Sequence, residues 1–163
     1  MLSKKDIHSI MENLSNERPL FHSEADFQFA LAWGLMKIKE KLNINRLRLE
    51  KPFNLKKRIM VDIFIEHNNK KSVIIELKYK VKKVDKLVNG EMFSLINSNN
   101  TEALDQFRKD IYRLKDLKKE KECDKGYAIL LTNKKKYYSK HNVYFKIKKS
   151  YGTEDFYYFI MEI

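Results

Sequence analysis

Apolar residues recur along this chain in two rhythms, one near 3.6 residues and one of two, and the switches between them mark out the elements. Phe27, Leu31, Ile38 and Leu42 follow Ser23 at helical spacing, with Ala30 and Leu35 beside them. Ser23 suits an N-cap, and Asp26 stands three residues on, as in a capping box. A helix is therefore predicted from Ser23 onward, after a shorter one over 2–15. "RLRLEKPF" (46–53) alternates Leu47 and Leu49 with Arg46, Arg48 and Glu50, which predicts a strand with one polar face. "IMVDIFIE" (59–66) and "SVIIELKYK" (72–80) read as strands of the interior, joined by "HNNKK". Next, "VDKLVNGEMFSLI" (84–96) places Asn-Gly between apolar flanks, a hairpin signal. Residues 101–121 are helical, with Leu104, Phe107, Ile111 and Leu114 on one face. "GYAILLT" (126–132) is a continuous apolar run, as expected of a strand buried on both faces. Strand-like segments around 141–148 and 154–163 complete the pattern and are expected at the sheet edge.

The order predicts an α/β fold with a mixed central sheet flanked by helices. No linker or repeat divides the chain, so a single domain over 1–163 is expected. Within it, 1–22 form an N-terminal helical extension, 23–133 the core and 134–163 C-terminal edge strands.

Three charges break the apolar strands. Asp62 lies in the first, and Glu76 and Lys78 share a face of the second. If the hairpin is centred on Asn69, Asp62 lies opposite Glu76, with Cβ atoms about 5 Å apart. Like charges so opposed destabilise the sheet unless a cation lies between them. Two converging carboxylates make a hard-oxygen site suited to Mg²⁺, with Mn²⁺ as a substitute. Lys78 beside them adds a point charge, which together suits phosphoryl chemistry. The bland alternative is that Glu-x-Lys sits on an exposed sheet face and meets water. Glu24 follows Ser23 in the first turn, where the helix dipole favours a carboxylate, and its spacing to Phe27 and Leu31 turns it towards the core.

Composition adds a partner class. The chain carries 34 Lys and Arg against 22 Asp and Glu, a formal charge of +12. Such an excess favours polyanions, DNA above all, although lysine-rich surfaces also serve solubility. Lys134, Lys135 and Lys136, just past the buried strand, and Arg58 on the face of Asp62 are the candidate contacts to a nucleic-acid backbone. One cysteine forms no internal disulfide, and the N-terminus lacks the apolar core of a signal peptide, so a cytoplasmic protein is expected. No apolar run approaches a membrane span. The four histidines show no metal-ligand spacing, and neither a P-loop nor a Gly-x-Ser-x-Gly elbow occurs.

The Asp…Glu-x-Lys pattern resembles the PD-(D/E)xK superfamily of restriction-endonuclease-like nucleases. "ERPLFHSEADFQFALAW" (17–33), "RIMVDIFIE" (58–66), "VIIELKYK" (73–80), "DIYRL" (110–114) and "GYAILLTN" (126–133) fall in order, and together look like a widespread prokaryotic group within it. The resemblance implies a core of helix, three-stranded meander, helix and strand, and Mg²⁺-dependent hydrolysis of DNA phosphodiester bonds. It implies that Asp62 and Glu76 bind the metal, that Lys78 is catalytic and that Glu24 orients metal and water. Two departures stand out: Val61 replaces the proline before Asp62, and the second helix lacks a clean Gln-x-x-x-Tyr motif. Gln106, Asp110 and Arg113 form a polar stripe there and are weaker candidates. The alternative function is a catalytically silent domain of this kind that binds nucleic acid or a partner protein. With one site per chain, cutting both strands would take a homodimer or two encounters.

Overall fold

The computed structural model describes residues 1–18, 20–53, 59–95, 100–134, 145–146 and 156–163, with the side chains of 100–104 and 145–146 left aside. Helix α1 (Lys4–Glu17) begins at a full capping box, in which Ser3 Oγ accepts from the Asp6 amide and the Asp6 carboxylate accepts from the Ser3 amide. Helix α2 (Glu24–Lys37) starts at Ser23, whose hydroxyl accepts from the Asp26 amide at 3.1 Å. The single predicted helix is broken near its end. Ile38 leaves helical geometry at φ −117°, ψ 22°, and a short α3 (Lys39–Leu42) follows. Gly34 is required where α1 crosses α2, because a Cβ there would lie 2.6 Å from Ile10 Cγ2.

Strands β1 (Ile44–Phe53), β2 (Ile59–His67) and β3 (Ser72–Lys80) form an antiparallel meander. The hairpin β4 (Val84–Val88) and β5 (Glu91–Leu95) turns at Asn89 and Gly90, both at positive φ as a type I′ turn demands. After it α4 (Asn100–Lys119) crosses to β6 (Lys125–Thr132), which pairs parallel to β3. Strands β7 (Phe145–Lys146) and β8 (Tyr157–Glu162) finish the sheet, whose order is β1-β2-β3-β6-β8-β7. This is a mixed α/β architecture. The C-terminal segment corrects one expectation: β8 is interior, paired to β6 on one side and β7 on the other, and only β7 lies at the edge.

Two cores flank the sheet. On one side α1, α2 and the β4–β5 hairpin cover Ile63, Ile65, Val73, Ile75 and Leu77. The N-terminal residues are no appendage, since Leu2, Ile7, Ile10, Met11 and Leu14 all belong to this core. On the other side α4 sets Phe107, Leu114 and Leu117 against Phe64, Ile74, Ala128 and Leu130. Val61 joins this second cluster with Phe64, although Ile63 faces the first. The two-residue alternation of β2 therefore slips at Asp62. Its neighbour across the ladder, Glu50, sits between the pairs Leu49↔Ile63 and Lys51↔Val61 and holds a left-handed φ of 49°.

Candidate functional site

The β2–β3 ladder runs from Glu66↔Ser72 to Ile63↔Ile75 and then stops. Its register would place Asp62 opposite Glu76, but from there the strands part. A free strand edge leaves amides without partners. Two of these, Leu77 N–H and Tyr79 N–H, lie two residues apart on that edge. Carboxylates take them in place of β2 carbonyls: Asp62 Oδ2 accepts from Leu77 at 2.5 Å and Glu24 Oε2 accepts from Tyr79 at 2.8 Å. The first turn of α2 thus reaches the point where the meander opens. The other edge of β3 remains fully paired with β6, from Val73↔Lys125 to Lys80↔Thr132.

Helix α4 supplies the rest of the cluster. Lys78 Nζ lies 3.2 Å from Glu24 Oε1 and 3.3 Å from Asp110 Oδ2, and also donates to the Leu77 carbonyl. Arg113 grips Glu76 through both oxygens, Nε to Oε1 at 3.0 Å and a terminal nitrogen to Oε2 at 2.7 Å, and reaches Asp110 Oδ1 at 2.8 Å. Glu76 is 1% exposed and Asp110 5%, whereas Glu24, Lys78 and Arg113 are half-buried. The cluster is therefore open to solvent on the side of Glu24 and Arg113.

Among the described residues four carboxylates here face two cations, an imbalance of two negative charges when all are ionised. The titration of the acids reflects that shortage. Burial pushes the Glu76 carboxyl up to about 8, against the pull of Arg113 and with a further push from the charge of Asp62. Asp62 is raised mainly by burial, which outweighs its bond from Leu77 N–H. Burial also raises Asp110 beyond what Lys78 and Arg113 offset. For Lys78 burial works towards the neutral amine, but the charges of Glu24, Asp110 and Asp62 together outweigh it and hold the ammonium. Two buried oxygens, Glu76 Oε2 and Asp110 Oδ2, lie within ion-pair distance of a cation yet receive no aligned hydrogen bond. An under-satisfied buried carboxylate is costly and marks a place where another positive group fits.

The remaining candidates are scattered. Gln106, on α4, is exposed, with no polar partner among the described residues. Lys134 is 2% exposed and its amide is bonded to Thr132 Oγ1, so it is not the surface cation that its place after β6 suggested. The packing continues two residues further than the apolar run: Asn133, also buried, accepts from the Lys82 amide at 2.7 Å. Arg58, Lys135 and Lys136 lie outside the described residues.

Two residues at the site escaped the sequence reading. Gln28 is buried on α2 and donates to Glu50 Oε1 at 2.6 Å and to the Asp62 carbonyl at 2.7 Å. It ties the helix to both strands at the slip in β2. The signal was there, since Gln28 is a polar residue beside Phe27 and Leu31 on the buried stripe. Glu50 gave none, because the Arg46, Arg48, Glu50 alternation reads as a solvated face; its left-handed backbone is what brings it towards Gln28.

No family model matches the chain, and no curated protein or solved structure matches it significantly. The chemistry of the cluster itself therefore carries the functional reading. Among the described residues no three His, Cys, Asp or Glu side chains form a ready metal-ligand set, and no helix is long and apolar enough to cross a membrane.

Proposed function

We propose that the chain is a metal-dependent nuclease that hydrolyses DNA phosphodiester bonds, with the restriction-endonuclease-like core that its motifs suggest. The observation that carries this reading is the meeting of Asp62, Glu76, Lys78 and Glu24 where β2 and β3 part, in a cluster whose carboxylates outnumber its cations among the described residues. A divalent cation fits that shortage, and the donors are the hard oxygens that Mg²⁺ and Mn²⁺ prefer. Asp62 and Glu76 would hold it, Asp62 with the oxygen not bonded to Leu77. Bound there, the cation would neutralise the phosphate and lower the pKa of a coordinated water.

The protein's own part is positioning and charge. Lys78 is held as an ammonium by Glu24 and Asp110, so it acts as a donor and a fixed positive charge at a phosphate oxygen, not as a general base. Glu24 fixes Lys78 with one oxygen and Tyr79 N–H with the other, which ties the ammonium to the strand that carries Glu76. Gln28 anchors the Asp62 backbone and keeps its carboxylate at the mouth of the split.

The decisive measurement is incubation of supercoiled plasmid and single-stranded DNA with Mg²⁺, Mn²⁺ or EDTA. Cleavage is expected with either metal and not in EDTA. Lys78→Ala should slow cleavage at saturating DNA by about a hundred-fold or more, the usual cost of removing one preorganised donor, while DNA affinity stays within a few-fold. A Lys78→Ala protein that cuts as fast as the parent refutes the assigned role. One observation favours the silent alternative: Arg113 occupies both oxygens of Glu76. DNA binding with no cleavage in either metal would establish that alternative.

A further inference from the structure

Helix α2 has a second face that the cluster does not use. Phe27, Leu31 and Leu35 point into the core, whereas Phe29, Trp33 and Met36 are 58%, 57% and 39% exposed. Their spacing of four and three residues sets them in one stripe. The rings of Phe29 and Trp33 lie nearly parallel, inclined by 13° with centroids 6.4 Å apart. At the far end of the stripe a shallow depression is lined by Met36, Asn45, Arg46, Leu47 and Arg48. Arg48 is exposed and donates only to the carbonyl of Leu47, with no carboxylate partner among the described residues. Arg46 is half-exposed and pairs with Glu66 at 3.0 Å. At the near end Gln28 touches Glu50 and the Asp62 backbone. Helix α2 and strand β1 therefore run in opposite directions along this edge. Their shared surface leads from Arg46 and Arg48 to the carboxylate cluster, about 12 Å over the eight helical steps from Gln28 to Met36.

We propose that this surface binds single-stranded DNA, with unpaired bases stacked on Phe29 and Trp33 and the backbone held by Arg48 and Arg46, so that a strand laid along it is delivered to Asp62. The proposal rests on the DNA nuclease reading and adds its substrate class. Flat aromatic faces beside guanidinium groups are what a flexible, unpaired polyanion needs, whereas a duplex keeps its bases stacked within itself. Charge complementarity favours this occupant, since the chain carries +12 overall and Arg48 lacks an acidic partner here. A second copy of the chain fits less well. The apolar stripe exposes on the order of 300 Å², well short of the roughly 800 Å² per partner that a stable dimer buries, and two such copies would bring like charges together.

Trp33 is the only tryptophan in the chain, so its emission reports on this surface alone. The test is a titration in EDTA with a short oligothymidylate and with a duplex of equal length. The single strand should quench Trp33 saturably, and the duplex far less, as direct stacking of unpaired bases on the indole requires. Phe29→Ala and Trp33→Ala, followed by anisotropy of a labelled oligothymidylate, should each weaken binding about ten-fold, with unchanged melting temperature. Trp33→Phe should keep most of the affinity, and Arg48→Ala should lose affinity without altering the quench at saturation. Binding that leaves the emission unaltered, equal quenching by duplex, or parental affinity in Phe29→Ala and Trp33→Ala would each overturn the proposal. So would a dimer in sedimentation that Trp33→Ala dissolves, which assigns the stripe to a second copy. Because binding is read without metal, a chain that quenches but never cuts keeps this surface and loses the nuclease reading. A chain that cuts with no quench does the reverse.

Discussion

Arg113→Ala is expected to destabilise the metal-free protein more at pH 8.5 than at pH 5. The guanidinium holds both oxygens of Glu76 and one of Asp110, and both acids are buried. Removing one partner of a buried pair leaves an uncompensated charge and costs about 3–5 kcal/mol. A carboxylate can avoid that cost by taking a proton, and this gives the effect its pH dependence. In the parent the Glu76 carboxyl lies at about 8 in the fold against 4.5 ordinarily. A raised folded value means that the folded state binds the extra proton. Stability from this group is therefore complete below about 4.5 and lost as the pH climbs through about 8. Without Arg113 the folded value rises further, so the decline deepens and extends to higher pH. Thermal melts in EDTA should show little difference from the parent at pH 5 and a drop of roughly 2–4 °C at pH 8.5, because the parent's own carboxyl, at about 8, already incurs the loss up to that pH and leaves about 1 kcal/mol to be added, at about 2–4 °C per kcal/mol for a domain of this size. Glu76→Gln in the Arg113→Ala background should recover most of that drop, because it removes the charge that the guanidinium offset. An equal loss at both pH values would mean that Arg113 contributes by packing alone.

How much of this was legible beforehand depends on how local the determinant is. The β2–β3 register followed from the short connection centred on Asn69, and Ile63↔Ile75 keeps the same index sum as Asp62 and Glu76. The Asn-Gly hairpin and the double-sided burial of β6 were readable for the same reason, since each is written within a few neighbouring residues. The parting of the strands was not. It depends on Glu24, more than fifty residues before Tyr79, arriving on a helix to take an amide that a strand partner would otherwise hold. Arg113 and Asp110 form a polar stripe in the sequence, but their claim on Glu76 and Lys78 exists only once α4 is laid across β3. Lys134 shows the opposite failure. Three lysines in a row read as solvent-facing, yet the first of them is still within the packed end of the sheet. The tail misled in the same way: the segment 154–163 alternates like an edge strand, and β8 nevertheless lies between two partners.

Asp62→Asn should leave the metal-free protein as stable as the parent or more so, while abolishing both its response to Mn²⁺ and its cleavage. The side chain does two separable jobs. One oxygen accepts from Leu77 N–H, and an asparagine carbonyl can do the same in nearly the same shape. The negative charge, in contrast, is unfavourable here: burial holds the Asp62 carboxyl above its ordinary value, and its charge pushes Glu76 up in turn. Across the opening between the strands each of these charges disfavours the other. Neutralising one of them lowers the folded value of Glu76, so the fall in stability between pH 5 and pH 8 should become shallower. The second oxygen of Asp62 is the one available to a cation, and in the variant an amide –NH₂ takes its place. For the parent, Mn²⁺ at about a hundred times its dissociation constant adds about 2.7 kcal/mol, or several degrees of melting temperature. The variant should show no such shift. Four melts decide the matter, parent and Asp62→Asn each with EDTA and with Mn²⁺ at pH 7.5, alongside plasmid cleavage under the same conditions. A variant that melts several degrees lower in EDTA would make the charge of Asp62 a structural cap for Leu77. One that keeps the full Mn²⁺ shift would place the cation elsewhere, and the split between β2 and β3 would then owe its carboxylates to the fold alone.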